Sequence, residues 1–171
     1  MHPSERCTIR PGKASPAAQA LDELRREVVE CSACPRLVAW REQAATVPRA
    51  RSGARYWSRP VPGCGDPAAW LLVVGLAPGA HGSNRTGRMF TGDRSGEWLY
   101  GALHRAGLCS RPDSFAADDD LQLEGVFITA AVRCAPPANK PRPAEWEACR
   151  AFLARELDIL EGIRVIVPLG A

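Results

Sequence analysis

No stretch of this chain stays apolar long enough to cross a bilayer as a helix, which excludes a bundle of membrane-spanning helices. The opening MHPSERCTIRPGKASPAAQ has no apolar segment of the signal-peptide kind. A cytoplasmic setting with no membrane partner is therefore expected. In that setting the seven cysteines are expected to be reduced thiols or metal ligands rather than a disulfide framework. Lysine is nearly missing: Lys13 and Lys140 are the only two among 22 basic residues. Arginine suits bidentate phosphate contact, but coding in a GC-rich genome produces the same bias. The net charge of +3 permits a nucleic-acid partner without requiring one. Histidine occurs only at His2, His81 and His104. No internal repeat is visible. The lack of a G-x-x-x-x-G-K-[ST] run argues against an NTPase phosphate loop.

What is present reads as one α/β domain. The 171 residues fit a single domain, with 46% apolar and 24% charged residues as in ordinary globular chains. Residues 1–15 are expected to be a disordered tail, and residues 16–171 the folded domain. Ser15 and Pro16 make a good N-cap and first helical position, and Leu21, Leu24 and Val28 recur at helical spacing. Residues 44–68 are rich in Arg, Pro and Gly and read as a long irregular connection. Three apolar runs follow, WLLVVGL, GVFITAAV and RVIVPLG, of the continuous kind found in parallel strands covered on both faces. Between them lie a helix from about Ser95 and the long helical run RPAEWEACRAFLARELDILEG. Such alternation predicts a parallel sheet with right-handed crossovers and a site beyond the carboxyl ends of its strands. The chain ends two residues after the third strand, so a truncated domain is expected, the alternative being a small three-stranded one.

The stretch GLAPGAHGSNRTGRMFTGDRSG, Gly75 to Gly96, occupies that edge. Core packing does not explain its glycines, arginines, single aromatic and single carboxylate. The cysteines form a second signal. Cys31 and Cys34 are a C-x2-C pair, Cys134 follows the second strand, and Cys149 lies on the long helix. Thiolates alone suit zinc or an iron–sulfur cluster, and the lack of a second close pair tilts toward the cluster. The other reading of Cys149 is a core thiol. Cys64 and Cys109 read as plain small residues.

The same loop resembles the first active-site motif of family 5 (type B) uracil-DNA glycosylases. CSACPRLVAWRE, RYWSRPVPGCGDP and TAAVRCAPPANKPRP resemble that family too, in the same order, over roughly residues 24 to 171. The resemblance implies a three-layer α/β/α sandwich with a central parallel sheet. It implies excision of uracil and other damaged bases from double- and single-stranded DNA by a protein that is monomeric when complete. It also implies a [4Fe–4S] cluster on Cys31, Cys34, Cys134 and Cys149.

By the same resemblance, Asp93 is the catalytic carboxylate. Such a group would stabilise positive charge on the sugar and orient water as the N-glycosidic bond breaks. Helix capping is the competing role, although Ser95 could cap alone and leave Asp93 available. Phe90 would hold the flipped base, or else be a core residue beneath the loop. Gly75 and Gly79 would let backbone approach the nucleotide, with Leu76, Ala77, His81, Asn84 and Arg88 around it. Arg85 and Arg88 fit either phosphate contact or bonds that hold the loop. His81 fits either a pocket or a structural role, and His104 reads as surface. Several sister families place an acid or amide at the position of Leu76 or Ala77. Family 4 has an asparagine that reads uracil where this chain has Ala130. An apolar pocket there predicts a broad range: uracil, hypoxanthine, ethenocytosine. The full family carries a second catalytic loop after a fourth strand. Poor solubility and weak or absent release are therefore expected of this chain. The alternative to an enzyme is an inactive, cluster-bearing DNA-binding fragment.

Overall fold

The computed structural model describes residues 15–46 and 55–170. The tail expected over residues 1–15 lies almost wholly outside them. Helix α1 (Pro16–Glu30) starts as the sequence dictates: Ser15 Oγ accepts from the Ala18 amide at 3.1 Å, and Pro16 takes the first helical position. The chain then breaks at Cys31–Cys34, and Pro35 opens a separate helix, α2 (Pro35–Gln43), with Cys34 as its N-cap. Strand β1 (Cys64–Gly65) is short. Strand β2 (Leu71–Gly75) leads through the glycine-rich loop, with its single turn α3 (Ser83–Thr86), to helix α4 (Arg94–Arg105). Strand β3 (Val126–Ala130), helix α5 (Pro143–Ile159) and strand β4 (Val165–Leu169) complete the order.

The sheet order is β1-β3-β2-β4. Strands β3, β2 and β4 are parallel, and Gly75 stands opposite both Ala130 and Leu169 in register. The all-parallel expectation needs one correction. β1 pairs antiparallel with β3, Cys64 against Ile128, inside a segment read from sequence as irregular. Two residues carry no periodic signal, so the strand was illegible.

Alternation along the strands sorts the core into two layers. Leu71, Val73, Val126 and Ile128 face Tyr100 and Leu103 of α4, while Leu72 and Phe127 face Leu21 of α1 and Leu160 beyond α5. Helices therefore cover both faces of the two central strands, which is the predicted α/β/α sandwich. β4 lies at an edge, and its Val165, Ile166 and Val167 are exposed.

A buried ionic group fastens α1 and α5 to the sheet. Glu156 Oε2 accepts from Arg133 Nη2 and Thr129 Oγ1, each at 2.7 Å, and Arg133 Nη1 also reaches Thr129. Arg25 is buried beside them. Cys64, read as a plain small residue, is instead disulfide-bonded. Spacing along a sequence does not reveal pairings across a fold.

Candidate active site and cysteine quartet

The carboxyl ends of β2 and β3 open into a cleft of about 630 Å³. Leu76, Ala77, Gly79, His81, Phe90, Asp93 and Ala130 all line it, as placed from sequence. The loop is built around two unusual features. Phe90 takes φ 53°, a left-handed conformation costly for a bulky residue. Neighbours hold it there. Ser83 Oγ accepts from the Phe90 amide at 3.0 Å, and the Tyr100 hydroxyl donates to the Met89 carbonyl at 2.8 Å. The ring lies over Gly75, where a β-carbon would come within 2.8 Å of it.

The second feature is Asp93. It is the N-cap of α4, with Oδ1 accepting from the Gly96 amide at 3.0 Å. The expectation that Ser95 caps and leaves Asp93 free is corrected: Ser95 lies inside the first turn. The carboxylate has two oxygens, however, and Oδ2 faces Gly79 and Gly82 in the cleft wall. Capping and a cleft role are therefore compatible. His81 is placed by Tyr56, whose hydroxyl lies 3.1 Å from Nδ1 with the rings edge to face.

Three sequence-placed residues face elsewhere. Gly75 makes room for Phe90 rather than for a ligand. Asn84 is fully buried and donates to the carbonyls of Arg41 at 3.0 Å and Ala80 at 3.4 Å. Arg88 is 1% exposed, with its guanidinium spent on Thr91, Ser114, Asp119 and the carbonyls of Ala116 and Ala117. Arg85 likewise holds the loop, donating to the carbonyls of His81 and Gly92. Both arginines thus make the loop-holding bonds that were one of their two expected roles.

The sequence reading missed Trp40 of α2, Gly82 and the turn Pro136–Asn139, all of which line the cleft. Ala138 and Asn139 have φ of 54° and 56°. The proline-rich run after Cys134 marked an irregular segment beside a strand end, and that was the available signal. Trp40 had none, because α2 has no amphipathic pattern of its own.

Behind the cleft sit Cys31, Cys34, Cys134 and Cys149, all with free thiols. Cys134 and Cys149 pack with Leu37 and Val132 in one cluster, with Cys34 and Ala77 against it. Burial pushes the Cys134 thiol up to about 11, against the pull of Arg41. Burial also raises Cys34 and Cys149. Negative charge on Cys149 and Cys31 would push Cys34 and Cys134 further. Four thiolates so placed need a cationic centre to exist together. Among the described residues no three ligands close on a single-ion site. A four-iron cluster holds its thiolates farther apart than one tetrahedral ion does. Arg41 Nη1 lies 3.0 Å from Cys134 Sγ, and its buried Nε has no acceptor among the described residues.

Residues 62–171 match the model of the uracil DNA glycosylase superfamily. The chain belongs to that superfamily. Within it the chain falls in the type-5 branch. It is 61% identical over 82% of its length to a type-5 uracil-DNA glycosylase of Thermus thermophilus. It is 55% identical over 91% of its length to one of Mycobacterium leprae. Similarity to a type-4 uracil-DNA glycosylase of Pyrobaculum aerophilum is lower, at 37% over 66% of the chain and 50% of that relative. The chain spans about two thirds of the two type-5 relatives, 64% and 69% of their lengths.

Proposed function

We propose that this chain carries the base-binding half of a DNA glycosylase that hydrolyses the N-glycosidic bond of uracil, and of other deaminated or damaged bases, in DNA. The observation that carries the reading is the divided Asp93 carboxylate. One oxygen is fixed on the α4 amide and the other is presented to a cleft walled by an aromatic ring. The target base must leave the stack to reach such a cleft. The Phe90 ring, held by its strained backbone, is the stacking surface. Ala130 at the floor offers no side-chain hydrogen bond, which supports a range beyond uracil to hypoxanthine and ethenocytosine.

As the C1′–N bond breaks, its electron pair leaves with the base and positive charge grows on the sugar. Asp93 Oδ2 stabilises that charge and orients a water. The water oxygen bonds to C1′, and its proton passes to the carboxylate and then to the departing base. His81, held by Tyr56, lines the same cleft and is a candidate partner for the base.

Cys31, Cys34, Cys134 and Cys149 fit a [4Fe–4S] cluster. The donors are all thiols, Cys134 and Cys149 share one buried cluster with Cys34 against it, and an Arg41 N–H with no acceptor among the described residues lies beside them. When bound, the cluster supplies a cross-link between the α1–α2 turn, the segment after β3, and α5. Single-turnover release of uracil from duplex and single-stranded oligonucleotides tests the activity. DNA binding without release would favour an inactive binding fragment. Iron and acid-labile sulfide analysis of anaerobically prepared protein tests the cofactor, and stoichiometric zinc without sulfide would exclude it.

A further inference from the structure

Helix α2 belongs to the cysteine quartet and to the cleft at once. Its N-cap is Cys34, and Leu37 on its next turn is fully buried against Cys134 and Cys149. Its last turn supplies Trp40 to the cleft wall. Arg41, 6% exposed, stands between the two. Its Nη1 donates to Cys134 Sγ at 3.0 Å and to the Cys31 carbonyl at 3.3 Å. Its own carbonyl accepts from Asn84 Nδ2 at 3.0 Å. Asn84 in turn sits in the glycine-rich loop, with its amide on the Gly79 carbonyl at 3.0 Å. The first turn of the helix is held as well, because Arg36 makes a bidentate pair with Glu145 of α5 at 2.7 Å.

We propose that Arg41 is a positioning residue that couples the occupant of the cysteine quartet to the base cleft, its guanidinium holding the sulfur side and its carbonyl holding the catalytic loop through Asn84. The inference rests on the cluster reading above. Hydrogen bonds to cluster sulfur withdraw electron density and favour the reduced state, so Arg41 raises the reduction potential. Arg41 Nε, buried with no acceptor among the described residues, supports the same view, since such an N–H needs an acceptor and a cluster sulfide would be one. The second half follows from connectivity. Movement of Arg41 shifts Trp40, one residue away, and drags Asn84 and the loop that ends at Asp93. By linkage, a base seated in the cleft must stabilise the quartet as much as the quartet stabilises the seated base.

The test uses the iron-loaded 171-residue chain and three variants. Arg41→Met should keep its iron yet show a midpoint potential shifted to more negative values in film voltammetry, with Arg41→Lys lying between. Asn84→Ala touches no cysteine, yet it should release iron to a chelator about fivefold faster or more. An oligonucleotide with 2′-fluorinated deoxyuridine, which resists cleavage, should slow iron release from the wild type and not from Asn84→Ala. A general loss of stability would not remove that ligand dependence. If Arg41→Met does not load, the potential of Arg41→Lys decides. Unmoved potentials, or Asn84→Ala behaving as wild type with and without the oligonucleotide, would overturn the coupling while leaving the cluster intact. Wild-type protein without iron and sulfide would overturn the cluster reading itself, and this inference with it.

Discussion

Gly82 lies so close to Asp93 that a β-carbon on it would stand 1.9 Å from the carboxylate Oδ2. No side chain other than hydrogen leaves that oxygen where it is. Gly82→Ala should therefore displace the Asp93 carboxylate, since its Cγ would stand 2.6 Å from the same β-carbon. A displacement near 1 Å at a reacting group costs about 100-fold in rate. The expected result is a loss of that order in single-turnover base release, with DNA affinity within a few-fold of wild type. An unchanged rate would show that Oδ2 does no work in the cleft.

Asp93 itself separates the two roles by choice of substitution. Asparagine caps a helix as well as aspartate does, whereas alanine costs about 1 kcal/mol. Asp93→Asn should melt like the wild type and, in a complete, active version of the enzyme, lose about 10²–10⁴-fold in base release. Asp93→Ala should lose the same activity and also melt earlier. Equal activity of Asn and wild type would reduce Asp93 to a cap.

The layering of the fold was legible because the strands are apolar throughout and the helices carry their own caps, as at Ser15 and Pro16. The loop was legible as a site because its composition has no packing rationale. Which of its residues face the cleft was not. Arg88 and Asp93 look equally available along the chain. Arg88 turns inward because Asp119, Ser114 and two carbonyls arrive from a segment 26 to 31 positions away. Trp40 and Gly82 reach the cleft only through the tertiary placement of α2 and the turn of the loop.

Arg88 gives the third prediction. Burial alone would raise the Asp119 carboxyl, but Arg88 and the backbone amides of Leu121 and Ala116 outweigh it and hold the group below its ordinary value. The folded value is lower than the unfolded one. The pair therefore stabilises the protein fully above the unfolded value of about 3.9 and less as pH falls through the folded value. Arg88→Ala should cost about 1–3 kcal/mol at neutral pH, because the partly buried Asp119 carboxylate loses its guanidinium partner and keeps only backbone amides. It should leave the salt dependence of DNA binding unchanged, because Arg88 neutralises no phosphate. A shallower salt slope in the variant, measured by fluorescence anisotropy, would return Arg88 to the DNA interface.

Glu156 should be more demanding still. It is 2% exposed and is the carboxylate partner of Arg133 and the near neighbour of Arg25, whose Nε and Nη2 find no acceptor among the described residues. Glu156→Gln would leave the buried Arg133 guanidinium facing a neutral amide and Arg25 with Asp22 alone as its carboxylate partner. Removing one partner of a buried pair costs about 3–5 kcal/mol. Denaturant unfolding should show a lower midpoint with an unchanged slope. Wild-type stability would mean that water already shields the two cations.

Ala130 controls what the floor of the cleft can read. It ends β3 in register with Gly75, is 1% exposed, and lines a cleft with room for a larger side chain. Asparagine there would add one donor and one acceptor where the wall is now apolar. A base edge that matches the amide loses little. A base edge that does not match leaves buried polar groups unpaired, which is the strong form of rejection. Ala130→Asn should therefore lower hypoxanthine release by about tenfold or more relative to uracil release. The ratio of the two single-turnover rates is the measurement, because it cancels any shared loss from misfolding. If both rates fall together and the ratio holds, base identity is read by backbone or by residues other than the one at the end of β3.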